Sequence, residues 1–193
     1  MTMVENKQMD DLLLIEQFKS GRQSAFDSLM KRYHPVVLNT CFRILQDEQN
    51  ARDAAQDIFI KVYRALSDWQ PHATLKTWMY RITVNHCLNV LRSQKRRRFL
   101  VSLNQLLTGN QEPTIIDGES HPDHALQNME LSNAVFKALD GLKPEYKTVI
   151  VLHRMEGLSY KEIAEIMNTS VASVESRMHR ARARLADILA EYR

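Results

Sequence analysis

Residues 157–185 read GLSYKEIAEIMNTSVASVESRMHRARARL, and this stretch decides the fold class. Ser159 stands three positions before Glu162, the capping-box spacing in which each side chain accepts from a backbone N–H that the first helical turn leaves free. The spacing predicts a helix starting at Ser159 and running through Ile163, Ala164, Ile166 and Met167. It ends at the polar turn Asn168-Thr169-Ser170, whose Ser170 can cap a second helix from Val171. Two short helices across so tight a turn form a helix-turn-helix. On the second helix Val171, Val174, Met178, Ala181 and Leu185 share one face at 100° per residue and are expected to pack. Ala172, Ser173, Ser176, His179 and Arg180 lie opposite, with Arg177 and Arg184 on a flank. Small residues near the helix start admit it closely to a major groove, while Ser and Arg supply hydrogen bonds to base edges and phosphates.

Upstream, Ala54, Ala55, Ile58, Phe59, Val62, Tyr63 and Leu66 recur at helical spacing, with Asp53, Gln56, Asp57, Lys61 and Arg64 on the other side. Similar patterns cover residues 12–20, 25–33, 36–45 and 75–92, with no convincing period-two segment between them. After residue 125, the stretches 129–142 and 147–155 are again helical in pattern. Gly109, Pro113, Gly118 and Pro122 fall together in TGNQEPTIIDGESHPDH, the one stretch dense in breakers. The chain is therefore expected to be all-α: two small helical domains, residues 1–98 and 126–193, joined by a flexible linker over 99–125, with the helix-turn-helix in the second.

Charge follows the same division. Of 26 Lys and Arg and 23 Asp and Glu, residues 1–98 hold 16 basic and 10 acidic, and residues 126–193 hold 10 and 9. The linker holds no basic residue and four acids, Glu112, Asp117, Glu119 and Asp123. The net charge of +3 conceals this contrast. The acids either keep the tether solvated and extended or imitate nucleic acid.

At the end of the first domain, Arg92 and Lys95-Arg96-Arg97-Arg98 place five basic residues within seven at a helix C-terminus. Cations are favourable at that end of any helix, but a phosphate backbone is the other natural partner. Arg81, Asn85 and Arg92 lie on one side of the same helix near Trp78. Basic and amide groups beside an aromatic plane suit a single strand, although Trp78, Ile82 and Leu75 equally suit a core.

Other chemistries are poorly supported. No Gly occurs between Gly21 and Gly109, so no Gly-rich loop cradles a nucleotide phosphate. The seven His form no H-E-x-x-H, no G-x-S-x-G is present, and His121 and His124 fall in the linker. No catalytic residue, metal or cofactor is expected, and the chain is not expected to be an enzyme. Cys41 and Cys87 fit no metal spacing and read as reduced, packed thiols. No window approaches the roughly 18 apolar residues of a membrane span, so a cytoplasmic location without membrane insertion is expected.

The segments DAAQDIFIKVYRAL (53–66), TLKTWMYRITVNHCLNVLRSQKRRR (74–98) and GLSYKEIAEIMNTSVASVESRMHRARARL together resemble bacterial RNA polymerase sigma factors of the sigma-70 family, in the extracytoplasmic-function group. Three such motifs in order are far more specific than the helix-turn-helix alone. The resemblance implies a factor that binds core RNA polymerase, recognises promoter DNA at two elements and helps open the duplex, with an anti-sigma factor as a further partner. It implies polymerase contact by Asp53, Gln56, Asp57, Lys61 and Arg64, with Ile58, Phe59 and Val62 as core. The minus-ten element would meet Trp69, Thr74, Arg81, Asn85, Arg92, Lys95, Arg96, Arg97 and Arg98, the loop 68–74 capturing an extruded base. The minus-thirty-five element would meet Ala172, Ser173, Ser176, Arg177, His179, Arg180 and Arg184. The family's linkers thread the polymerase's RNA channel, which implies that place for residues 99–125. Glu175 departs from the pattern, since an acid near phosphates is unfavourable unless it accepts from a cytosine amine. The alternatives are a two-domain helix-turn-helix regulator, which would bind duplex DNA alone, and a small helical enzyme or scaffold.

Overall fold

A computed structural model describes residues 3–108 and 136–190. Among these the ordered elements are helices. The first domain comprises α1 (Met3–Lys19), α2 (Gln23–Leu45), α3 (Glu48–Leu66) and α4 (Leu75–Thr108). Residues 136–140 are helical and lead into α5 (Pro144–Ile150), a π-helical turn (Val151–Met155), α6 (Tyr160–Ile166) and α7 (Val171–Ala190).

Two boundaries differ from the sequence reading. Residues 25–33 and 36–45 belong to one helix, α2, with Pro35 inside it. Proline removes one backbone donor, but Leu29, Tyr33, Val37, Cys41 and Ile44 form an unbroken buried row across it, and that packing holds the helix together. Helix α4 runs ten residues past Arg98, so residues 99–108 are helical and not linker. The rest of the expected linker, its four acids and residues 129–135 lie outside the described residues.

Helix α3 starts where its cap dictates: the Asp47 carboxylate accepts from the Asn50 N–H at 2.6 Å. Its stripe of Ala51, Ala54, Ala55, Ile58, Val62 and Leu66 is buried against α2 and α4. Cys41 of α2 meets Cys87 of α4 there, both thiols free, with Sγ atoms 3.6 Å apart. The hydrogen bond from Cys87 to Cys41, with burial, pushes the Cys87 thiol far up, which keeps it protonated and unreactive. Asp11, on the buried face of α1, accepts from Tyr33 and Arg32 of α2.

In the second domain Leu139, Val149, Leu152, Ile163, Ile166, Val174, Met178 and Ala181 are buried between α5, α6 and α7. Gly157, at φ +71°, turns the chain between the π-helical turn and α6 in a conformation that suits glycine. Val171 is exposed, not packed, because it occupies the first turn of α7 beyond the domain's edge. The two expected helical domains are present, and they touch. The π-helical turn and α6 pack on α2 and α4, and the buried residues of both domains form one continuous cluster. No helix among the described residues is long and apolar enough to cross a membrane.

Candidate nucleic-acid interface

The helix-turn-helix is built as its local chemistry requires. The Ser159 N–H donates to the Glu162 carboxylate at 2.8 Å and the Glu162 N–H donates to the Ser159 hydroxyl at 3.3 Å, completing the capping box. The Ser159 hydroxyl, then its backbone N–H, hold the Glu162 carboxyl below its ordinary range. In the turn Asn168 adopts φ +48°, and Ser170 Oγ accepts from the Ser173 N–H at 3.2 Å to start α7. Burial of Val174, Met178 and Ala181 fixes the rotation of α7. Ala172, Ser176, His179, Arg180 and Arg184 are consequently exposed on one side, while Ser173 and Arg177 are half-buried at its edge. The Arg180 guanidinium, beside the Tyr146 hydroxyl of α5, lowers that phenol's pKa. Glu175 is exposed beside this row.

The expected minus-ten residues do not all share one surface. Asn85, Arg92, Lys95, Arg96, Arg97 and Arg98 are exposed along α4. Thr74 is exposed but works as the cap of α4, its Oγ1 accepting from the Thr77 N–H at 3.1 Å. Trp69 is buried, which contrasts with a place in an open base-capturing loop. Its ring stands edge-on to Trp78 at 6.5 Å between centroids, and its carbonyl accepts from Lys19 Nζ at 2.8 Å. Trp69 therefore props the loop 67–74 from beneath. Arg81 is turned to the second domain, its Nη2 donating to the Glu165 carbonyl at 3.2 Å with the Glu165 carboxylate at 3.6 Å.

On α3, Asp53, Gln56, Asp57, Lys61 and Arg64 are all exposed. They divide into two rows. Asp57 and Lys61 lean to α4, where Lys61 Nζ lies 2.6 Å from His86 Nδ1 and Asp57 lies 3.7 Å from His86 Nε2. Burial and the Lys61 charge push the His86 pKa down against the opposing pull of Asp57, so the ring is neutral at pH 7 and accepts from Lys61. Gln56 and Arg64 instead flank an apolar groove of about 880 Å³ between α2 and α3, floored by Phe26 and Phe59. Met30, Ile60 and Tyr63 rise into it at 36%, 43% and 40% exposure. The sequence reading left out Met30 and Ile60 and placed Tyr63 in the packed stripe. The available signal was Ile60 itself, an apolar residue four positions from both Gln56 and Arg64 in an otherwise polar row. An apolar groove rimmed by polar side chains is a candidate docking surface.

Comparison with known proteins matches residues 29–97 to Sigma-70 region 2 and residues 132–185 to Sigma-70, region 4. The ECF RNA polymerase sigma-E factor of Escherichia coli is 34% identical over 178 residues, 92% of this chain and 93% of its own length. The RNA polymerase sigma-H factor of Pseudomonas aeruginosa is 34% identical over 177 residues, 91% of each chain. Among solved structures, CnrH in complex with the cytosolic domain of CnrY has a TM-score of 0.67 at 26% identity, covering 94% of this chain and 98% of that one. The sigma factor RpoE of Bartonella quintana, solved with the anti-sigma factor NepR, shares the fold at a TM-score of 0.64 and 23% identity, over 87% of this chain and 98% of that one.

Proposed function

The chain belongs to the extracytoplasmic-function group of the sigma-70 family of RNA polymerase sigma factors, and we propose how its own surfaces divide that work. As a sigma factor it directs RNA polymerase to promoters. The apolar groove with Met30, Ile60 and Tyr63, rimmed by Gln56 and Arg64, receives core polymerase. Asp53, Asp57 and Lys61 extend the same contact as a polar border. An interface of buried apolar centre and charged rim is the ordinary arrangement of a stable protein contact.

DNA is read at two places. The observation that carries this reading is the rotation of α7, which buries Val174, Met178 and Ala181 and leaves Ala172, Ser176, His179, Arg180 and Arg184 facing outward. Those residues, with Ser173 and Arg177 at the edge, read the minus-thirty-five element in the major groove. Asn85, Arg92 and Lys95–Arg98 take the minus-ten element, the arginines and lysine on phosphates, and favour the melted strand over the duplex. The work is binding and deformation of DNA, and no catalytic step is assigned to the chain.

An anti-sigma factor, of the kind solved with the Bartonella RpoE, holds this chain in reserve, and the apolar groove offers it a surface shared with polymerase. The chain acts where the polymerase is, in the cytoplasm. In vitro transcription with purified core and genomic fragments tests the whole reading. Promoter-specific transcripts that require this chain are expected; duplex-specific binding without core and no transcripts would make the protein an ordinary regulator.

A further inference from the structure

Helix α4 carries a charged collar and an apolar tip beyond its packed part. Leu88 is its last buried residue, and Val90 and Leu91 still pack on the core. From Lys95 to Ser102, about 10 Å of helix at 1.5 Å per residue, every side chain is exposed. Lys95, Arg96, Arg97 and Arg98 come first and form the collar. Helix α4 holds no acidic residue, and among the described residues no carboxylate pairs with these four. The pull of a helix C-terminus on cations is confined to the last turn. It does not account for the collar, because α4 continues ten residues past Arg98.

The tip follows at once. Phe99, Leu100 and Val101 are 62%, 55% and 48% exposed, three of the four most exposed large apolar residues among those described. Being consecutive, they stand 100° apart and face three sides of the helix. By helical spacing Leu103, Leu106 and Leu107 continue the side of Phe99. Apolar side chains gathered on a projecting helix call for a cover, and the charges select it. A second copy of this tip would set like charges together. A folded acidic protein covers one side of a helix and leaves the others in water. DNA phosphates account for the collar and leave the tip uncovered. A fluid medium with an anionic surface and an apolar interior meets collar and tip together.

We propose that the end of α4 is a membrane-surface anchor for an anionic phospholipid bilayer: Phe99, Leu100 and Val101 enter the boundary between headgroups and acyl chains, and Lys95–Arg98 stay among the headgroup phosphates. The contact lies on the surface and spans nothing, in keeping with the absence of a helix among the described residues long and apolar enough to cross. Each cation near an anionic surface strengthens binding by about fivefold. Covering the exposed half of each large apolar side chain contributes a similar factor. Neither part suffices alone, and the two together hold the chain reversibly.

The test uses the full chain without polymerase, with sucrose-loaded vesicles of phosphatidylcholine, alone or mixed with phosphatidylglycerol. Sedimentation with the mixed vesicles and not with the neutral ones is expected, weakening with added salt. A polarity-sensitive thiol dye on Ser102→Cys should shift to the blue on the mixed vesicles, while the same dye on Ser67→Cys should not. Both positions are exposed, and the native Cys41 and Cys87 are buried away from the dye. Joint Phe99→Ser, Leu100→Ser and Val101→Ser should weaken vesicle binding on the order of a hundredfold. Arg97→Gln with Arg98→Gln should weaken it roughly twentyfold. Leu13→Ser, at an equally exposed apolar residue of α1, should bind as wild type. The arginine pair and the dye positions decide the matter should the triple variant lose helicity by circular dichroism. No binding to the mixed vesicles would overturn the proposal. So would wild-type binding by the folded triple variant, which would mean adherence by charge alone. A dimer in sedimentation velocity that the triple variant dissolves would give the tip to a second copy instead, and loss of promoter binding by its holoenzyme would give it to DNA. Vesicle binding involves no polymerase, so the outcome for the sigma reading leaves this result standing.

Discussion

Replacing Ile60 tests the groove most directly, because the side chain contributes to the surface and little to the fold. Ile60 is 43% exposed in the free chain. Full burial of such a side chain contributes about 1.5–3 kcal/mol, so covering the exposed part on binding contributes about 1 kcal/mol, or roughly fivefold in affinity. Met30 and Tyr63 have similar exposure, at 36% and 40%. The three together approach about 3 kcal/mol, on the order of a hundredfold, with some loss of additivity because they are neighbours. Ile60→Ala should therefore weaken core binding about fivefold. Ile60→Glu should weaken it further, since the new carboxylate would be desolvated without a partner. Fluorescence titration of labelled chain with core polymerase measures both, alongside circular dichroism and thermal melting to confirm that the fold survives. Wild-type affinity in a folded Ile60→Glu variant would refute the argument and move the polymerase contact elsewhere. Charge reversal at Asp57 or Lys61 supplies the comparison: a polar border predicts a smaller loss that fades with added salt.

Ser159→Ala removes one half of the capping box and should lower the stability of the second domain by about 1 kcal/mol in urea unfolding. Because the Glu162 pKa is lowered by folding, its contribution is present above the ordinary carboxylate range and lost as pH falls through the lowered value. The deficit of Ser159→Ala should accordingly shrink in acid. Arg180→Ala or Arg177→Ala should cost about 1–3 kcal/mol at one base position if the side chain reads guanine, and a smaller, sequence-independent, salt-sensitive amount if it touches phosphate; titration of several duplexes with holoenzyme at two salt concentrations separates these. His86 has a pKa lowered by folding, so the unfolded chain binds its proton more readily. Stability should therefore fall as pH drops below the ordinary histidine value, and His86→Gln should flatten that fall in melting curves between pH 5 and 7 on the scale where histidine titrates.

The helices and their caps were legible because their causes are local. Ser159 and Glu162, Ser170 and Ser173, and the stripe of α3 act over three or four residues, and a hydrogen bond or apolar period at that range is readable in a linear string. The same locality leaves Ala172, Ser176, His179, Arg180 and Arg184 exposed on α7, and Asn85, Arg92 and Lys95–Arg98 exposed on α4. Pro35 and the end of α4 were misread because breakers and charge runs state a local preference that a buried row or a continuing backbone ladder can override.

The sites that depend on packing were not legible. Whether Met30, Ile60 and Tyr63 are covered depends on the angle at which α2 meets α3, and no sequence period distinguishes an apolar residue in a core from one in a groove. Trp69 looked like an open-loop aromatic and is a buried support for the same geometric reason. The sequence by itself determined an all-helical chain, the helix-turn-helix, the rotation of its second helix and the family. The tertiary structure alone decided that Glu156 meets Arg43, 113 residues earlier, and that Arg81 meets Glu165, 84 residues later. Contacts at that separation leave no periodic trace, because what joins them is the way two finished domains meet.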